Sequence, residues 1–177
     1  MSITTKCGDQ GRTRLATGET VWKDDPRLEA LGDLDELSCA LGEARARMAD
    51  RDHAAMILDI QQRISQAAAE VAFATVEQGA PQHAITPDQL AELESFQARM
   101  EAECITLPDA FVLPGGSLAG AALDHARALT RRVERRVMAL HRNGLRLAEP
   151  TRVYLNRLSD FLWVLARREE PRTTVIT

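Results

Sequence analysis

Leu31, Leu34, Leu37, Leu41, Ala44 and Met48 recur at three- and four-residue steps, which predicts a helix with one buried stripe from Pro26 to about residue 50. Met56, Ile60, Ile64, Ala67, Val71 and Ala74 repeat the pattern and predict a second helix over about 52–77. GAPQHAITP (79–87) interrupts the period and reads as a mobile linker. Thr86, with Pro87 at the first helical position and Gln89 three residues on, has the spacing of a capping box. It opens a third helix whose inner positions are Leu90, Leu93, Phe96, Met100 and Ile105. TLPDAFVLPGGS (106–117) breaks that helix, Ser117 caps a fourth over 118–142, and Asn143-Gly144 ends it. A fifth runs from about Glu149 to Arg168. Residues 1–25 have no helical period and read as an ordered loop region with a short strand; 169–177 is polar and reads as a flexible tail. Without βαβ alternation or internal repeats, the pattern predicts a single all-α domain over 1–177, a five-helix up-and-down bundle occupying 26–168.

Composition narrows the function more than the fold. Apolar residues make up 45% of the 177 and aromatics only 4%, which suits a helical globular protein. No apolar run is long enough to cross a bilayer, and MSITTKCGDQGRT lacks the apolar core of a signal peptide, so the expected location is cytoplasmic, with no membrane partner. Cys7, Cys39 and Cys104 are scattered without a CxxC pair, which points to reduced thiols. His53, His83, His125 and His141 form neither HExxH nor ExxH, which argues against a zinc protease and a di-iron bundle.

The formal net charge is −4, yet RALTRRVERRV (127–137) holds five arginines and one glutamate. On a wheel of about 100° per residue, Ala122, Ala126, Leu129, Val133, Val137 and Leu140 make the core stripe. Arg127, Arg131 and Glu134 flank it on one side, Arg132 and Arg136 on the other, and Arg135 points outward. The plain reading is a solvated face with Glu134 bridging Arg131 at i, i+3. Two features favour an anion site: every cation is an arginine, suited to bidentate phosphate or carboxylate binding, and PGGS precedes the helix. Nucleic acid is disfavoured, because neither a basic domain nor a stacking set of aromatics is present.

TTKCGDQGRT, near the start, carries two glycines three apart, with Lys6, Arg12 and the hydroxyls of Thr5 and Thr13. The P-loop pattern is missing. Glycines let backbone N–H groups close on an anion, so a polyphosphate suits this stretch, and an ordinary turn suits it as well. VWKDDPR adds Lys23 beside two aspartates, with a capped helix start as the alternative reading.

TKCGDQGRT, GETVWKDDPRLEALGDLDEL, FVLPGGS, ARALTRRVERR and YLNRLSDFLWVLAR, in this order, resemble the PduO-type ATP:cob(I)alamin (corrinoid) adenosyltransferases from Thr5 to Arg168. The resemblance implies a homotrimer with active sites between subunits. It implies transfer of the 5′-deoxyadenosyl group of ATP to the cobalt of cob(I)alamin, or of a related corrinoid such as cob(I)yrinic acid a,c-diamide, with release of triphosphate. Thr5, Lys6, Cys7 and Gly8 then correspond to a triphosphate cradle in the N-terminal loop, completed by Thr13, Arg14 and Lys23. Arg131, Arg132, Glu134 and Arg135 fall on the family's ATP contacts, as does Asn156; Arg131, Glu134 and Asn156 are the catalytic candidates. Arg127 corresponds to an arginine paired across the subunit interface with the aspartate of DEL, here Asp35, and Phe111 to the aromatic that closes the lower face of the corrin.

The implied partners are a cob(II)alamin reductase and an adenosylcobalamin-dependent enzyme, and the implied cofactors are ATP as co-substrate, phosphate-bound Mg2+ and cobalamin as substrate. No protein ligand set for the metal is assigned. Two positions depart from the family's pattern: Cys7 replaces a threonine, and Asp124 replaces a histidine and, at i, i+3, competes with Asp35 for Arg127. The competing readings are a non-catalytic trimeric carrier of the same fold and a helical adaptor for an acidic partner.

The chemistry suits these residue types. Cob(I)alamin is itself the nucleophile, so the protein's tasks are to align C5′ of ATP with the cobalt and to stabilise the leaving triphosphate. Arginines and a glycine loop do that; a Ser or His triad would be idle.

Overall fold

The computed structural model describes residues 6, 8–74, 83–103, 108–171 and 174–175. Five helices dominate it: α1 (Pro26–Arg47), α2 (Arg51–Phe73), α3 (Pro87–Glu103), α4 (Leu118–Arg142) and α5 (Glu149–Arg168). Helix α4 packs on both α1 and α5; α2 covers the other side of α1, and α3 covers α5. The principal contacts therefore run in the spatial order α2–α1–α4–α5–α3, which differs from the chain order of a simple up-and-down bundle. Two connections, 74–86 and 104–117, carry the chain across between packed pairs. Residues 79–82 of the 79–87 linker, and Ile105, fall outside the described residues.

Local signals place the helix starts. Asp25 caps α1 by accepting from Arg27 N at 2.9 Å, and the Arg27 guanidinium bonds back to both Asp25 and Glu19. That arginine holds the Asp25 carboxyl below the usual range. Asp50 caps α2, Ser117 caps α4 by accepting from Gly120 N at 2.8 Å, and Thr86 with Gln89 closes a reciprocal capping box on α3. Gly144 takes φ +100° directly after the C-cap of α4, where a side chain would be strained.

The core is the meeting of the predicted stripes. All six stripe positions of α4 are buried, as are Leu34, Leu37, Leu41 and Ala44 of α1. Ile57 takes the inward place on α2 expected of Met56, which is half-buried. Burying each such Leu, Ile or Val stabilises the fold by roughly 1.5–3 kcal/mol.

The first 25 residues hold one hairpin, β1 (Arg12–Arg14) against β2 (Thr20–Trp22), in antiparallel register with Thr13 opposite Val21. Val21 and Leu15 are buried. At the other end the expectation of a frayed tail is corrected: β4 (Thr174–Val175) pairs antiparallel with β3 (Val112–Leu113), so the chain returns to the loop before α4. Backbone pairing needs no apolar side chains, and a polar tail can supply it.

Helix α5 lacks a capping side chain of its own. Glu70, buried on α2, supplies it from a distance: its carboxylate accepts from Ala148 N at 2.6 Å and from the Thr151 hydroxyl, which in turn accepts from Ile85 N at 3.0 Å. Burial raises the Glu70 pKa despite these bonds. A carboxyl with a raised folded-state pKa contributes most below its ordinary titration range, and that contribution declines as pH rises through the raised range. Thermal melts of wild type should therefore show this decline, and Glu70→Gln, which cannot ionise, should lack it. Glu70→Ala should cost about 1–3 kcal/mol by orphaning the two donors; a smaller loss would mean that water replaces the carboxylate.

Candidate functional site

The five arginines of 127–137 on α4 differ in their partners from one flank to the other. On the α1 side, Arg132 Nε lies 3.0 Å from Asp33, with a second contact to Glu36, and Arg136 lies 3.4 Å from both Glu29 and Asp33. On the opposite flank, Arg127 Nε donates to Asp124 of α4 itself at 3.1 Å, and Glu134 accepts from the Asn156 amide of α5 at 3.0 Å. The two flanks of the wheel thus face two different helices. Glu134 does not bridge Arg131, contrary to the plain solvated-face reading; its partner is across the helix interface. Arg131 and Arg135 are exposed, and neither makes an ion pair among the described residues. Arg132, Arg135 and Arg136, with Ala139, line a shallow recess of about 380 Å³.

Lys6 adopts φ +59°, uncommon for a residue with a side chain. Gly8 N–H and C=O lie in tight turns, with Gly11 N donating to Gly8 O at 3.2 Å, and Gly11 itself takes φ +77°. A Cβ at Gly8 would lie 3.0 Å from Lys23 Nζ, so the absent side chain lets the ammonium approach the loop. Lys23 N in turn donates to Gly11 O at 2.9 Å, binding the strand end to the turn. Thr13 is half-buried and Arg14 exposed on the same hairpin. Arg12 stacks over Trp22 at 4.7 Å, and Trp22 is largely exposed. Thr5 and Cys7 lie outside the described residues.

A second concavity, an open cleft of about 550 Å³, is lined by 108–112, Asp124, Arg127, Trp163 and Arg167. Phe111 stands at its rim with 85% of its surface exposed, which removes the core-filling role from consideration. Leu113, Leu118 and Val175 extend the exposed apolar surface near it in the chain and along the β3–β4 ribbon. Asp124, which sequence places only as a competitor for Arg127, is buried and binds Arg127 and Arg167 together. Asp35 is exposed on α1 and makes no ion pair among the described residues, so within one protomer Arg127 belongs to Asp124.

Trp163 and Arg167 were not among the sequence candidates. Arg167 in the last turn of α5 reads as an ordinary C-terminal cation, and only its long-range pairing marks it out. Among the described residues no set of three or more His, Cys, Asp or Glu side chains gathers in a way that could hold a metal ion, and no helix is long and apolar enough to cross a membrane.

Residues 3–169 match the family model described as cobalamin adenosyltransferase. The corrinoid adenosyltransferase PduO of Salmonella typhimurium is 38% identical over 170 residues, covering 96% of this chain, which spans only 50% of that relative's length. The corrinoid adenosyltransferase of Bacillus subtilis is 35% identical over 181 residues, covering 99% of this chain and 90% of the relative. A solved structure of a phenylalanine-to-histidine variant PduO-type ATP:corrinoid adenosyltransferase from Lactobacillus reuteri, complexed with cobalamin and ATP, superposes with a TM-score of 0.87 at 26% identity. The superposition covers 99% of this chain and 96% of that one. With the same bundle, and a family match over nearly its whole length, the chain belongs to the cobalamin adenosyltransferase family.

Proposed function

We propose that this protein transfers the 5′-deoxyadenosyl group of ATP to the cobalt of cob(I)alamin or a related corrinoid. The Co–C5′ bond forms, the C5′–O5′ bond breaks, and triphosphate leaves with the bonding pair. The observation that carries this reading is the division of α4's arginines. Arg132 and Arg136 are largely neutralised by α1, while Arg131 and Arg135 present unpaired guanidiniums next to the Glu134–Asn156 hydrogen bond. Unpaired guanidiniums preorganised along one helix stabilise charge on a leaving polyphosphate, where each such donor is typically worth a factor of about 100–1,000 in rate. Lys6, Lys23 and the glycine turn, with Thr5, Cys7, Thr13 and Arg14, form the triphosphate cradle in this reading. Arg132 joins them on exchanging Asp33 and Glu36 for phosphate. Among the described residues no three carboxylate, His or Cys side chains gather in a way that could hold a divalent ion, so magnesium fits as an ion carried on phosphate oxygens.

Glu134 and Asn156 hold one another from adjacent helices and so fix the face that receives the nucleoside. Turnover of ATP and chemically reduced cobalamin to adenosylcobalamin plus one equivalent of triphosphate tests the proposal; a carrier of the same fold would bind both and release none. Arg131→Ala and Glu134→Ala should each lose about 100-fold or more in turnover, whereas Arg136→Ala, already tied to Glu29 and Asp33, should lose far less. Equal losses at all three would assign the wrong face of α4.

Phe111 is the apolar wedge that excludes the lower ligand of cob(II)alamin and so eases its reduction to cob(I)alamin. As an exposed side chain its removal should change stability by less than about 0.5 kcal/mol. Phe111→Ala should therefore fold normally, lose turnover from cob(II)alamin with a reductase, and lose much less from pre-reduced cob(I)alamin. A wild-type four-coordinate cob(II)alamin signal in the variant would remove Phe111 from this role.

The active assembly in this reading is a homotrimer, in which Asp35 of one subunit meets Arg127 of the next and the two substrates lie between subunits. A cob(II)alamin reductase and an adenosylcobalamin-dependent enzyme are its proposed partners, in the cytoplasm. Sedimentation equilibrium at micromolar concentration should give three chains per particle, and Arg127→Ala should shift the mass towards the monomer. A wild-type monomer would contradict the assembly.

A further inference from the structure

Behind the Phe111 cleft lies a line of four charges that the reaction proposed above does not require. Asp124 Oδ1 accepts from Arg127, and Asp124 Oδ2 from Arg167. Arg167 Nε donates onward to Glu170 Oε2 at 2.9 Å, and Glu170 Oε1 accepts from Gly116 N at 3.3 Å. The side chains of Asp124, Arg167 and Glu170 are 3%, 4% and 0% exposed, while Arg127 is 30% exposed and faces the cleft. Two carboxylates and two guanidiniums balance in charge, so the line is neutral as a unit and costly to break at any one member. It begins at the cleft floor on α4, crosses to the end of α5, and finishes on the backbone of the loop that carries Phe111.

Gly115 takes φ +123°, a conformation unfavourable to residues with side chains, so the turn into α4 depends on a glycine there. Gly120, in the first turn of α4, sits directly beneath Glu170: a Cβ there would lie 2.7 Å from Glu170 Cγ and 2.9 Å from its Oε1. Glu170 thus fills the space of a missing side chain while holding the Gly116 amide. Trp163, lining the same cleft, packs its ring 5.7 Å from the Arg167 guanidinium and closes the line from the other side.

We infer that Asp124 is a positioning residue that, through Arg167 and Glu170, sets the loop 108–117 and with it the placement of Phe111 against the corrin. It touches neither substrate; it works by holding Arg127 and Arg167 as a pair and so fixing where Glu170 grips the loop. The inference rests on the reading of Phe111 given above. Charge is the working property, so Asp124→Asn keeps the shape of the side chain and removes the pairing. Gly120→Ala reaches the same loop without replacing any charged residue, by displacing Glu170; its Cβ would also lie 3.1 Å from Ser117 Oγ, the cap of α4.

Hydrogen exchange read by mass spectrometry tests the line independently of any activity. In Asp124→Asn and in Gly120→Ala, the peptide spanning 108–117 should exchange at least about tenfold faster than in wild type, the loss expected of a hydrogen bond to a charged acceptor. Peptides from α1 and α2 should be unchanged. Both variants should bind ATP within about twofold of wild type, and their four-coordinate cob(II)alamin signal should fall with Phe111→Ala as the limiting case. If Asp124→Asn does not fold, Gly120→Ala carries the test alone. Wild-type exchange over 108–117 in a folded variant overturns the inference. Faster exchange with an unchanged four-coordinate signal overturns its functional half. A wild-type protein that makes no adenosylcobalamin speaks against the proposed reaction instead, and leaves the exchange result to decide the positioning.

Discussion

Helix α4 must bury a continuous apolar stripe against two neighbours while carrying six arginines, and the rest of the molecule follows from how that is reconciled. A guanidinium cannot enter the core unpaired, so each must sit on a flank and find a carboxylate, or stay in water. α1 answers on one side with Glu29, Asp33 and Glu36, and on the other Arg127 finds Asp124 one turn back on α4 itself. The arginines left over are the ones with no neighbour to face. A strip of unpaired positive charge in an acidic protein is thus a by-product of bundle geometry, and it lies where a polyanion can reach it.

Packing and chemistry meet again at the cleft. The loop that leaves α3 and enters α4 would be free to swing if only its ends were fixed. The two-residue ribbon of β3 and β4 and the bond from Gly116 to Glu170 fasten its middle instead. Phe111 is largely exposed immediately before the first of these fastenings.

Most of the bundle could be read from the chain because helices announce themselves locally. The boundaries of α4 and α5, the Thr86–Gln89 box, the Ser117 cap and the Asn143-Gly144 stop are all signals within a few residues of the event they describe. The division of the arginines was also legible, since the wheel separates Arg131 from Arg132 and Arg136 without knowledge of the neighbours. What escaped was long-range. Glu70 looks like a solvent-facing residue on α2, Arg167 like a helix-end cation, and 174–175 too short and polar to suggest a strand; each acquires its role from a partner remote in sequence. Asp124 is intermediate: its i, i+3 relation to Arg127 was visible, its second partner 43 residues away was not.

The distant cap on α5 has a kinetic side. Its carboxylate comes from 78 residues earlier in the chain, and the hydroxyl it also binds belongs to α5 itself. A loop of that length is closed only after the bundle has begun to assemble, because the entropy of closure is lost before the bond is gained. The cap on the first turn of α5 therefore closes only once α2 and α5 have been brought together. Interactions completed so late act chiefly on the rate of unfolding. In an acidic chain rich in local helical order, this makes Glu70 less a contributor to how fast the protein folds than a latch on how long it stays folded.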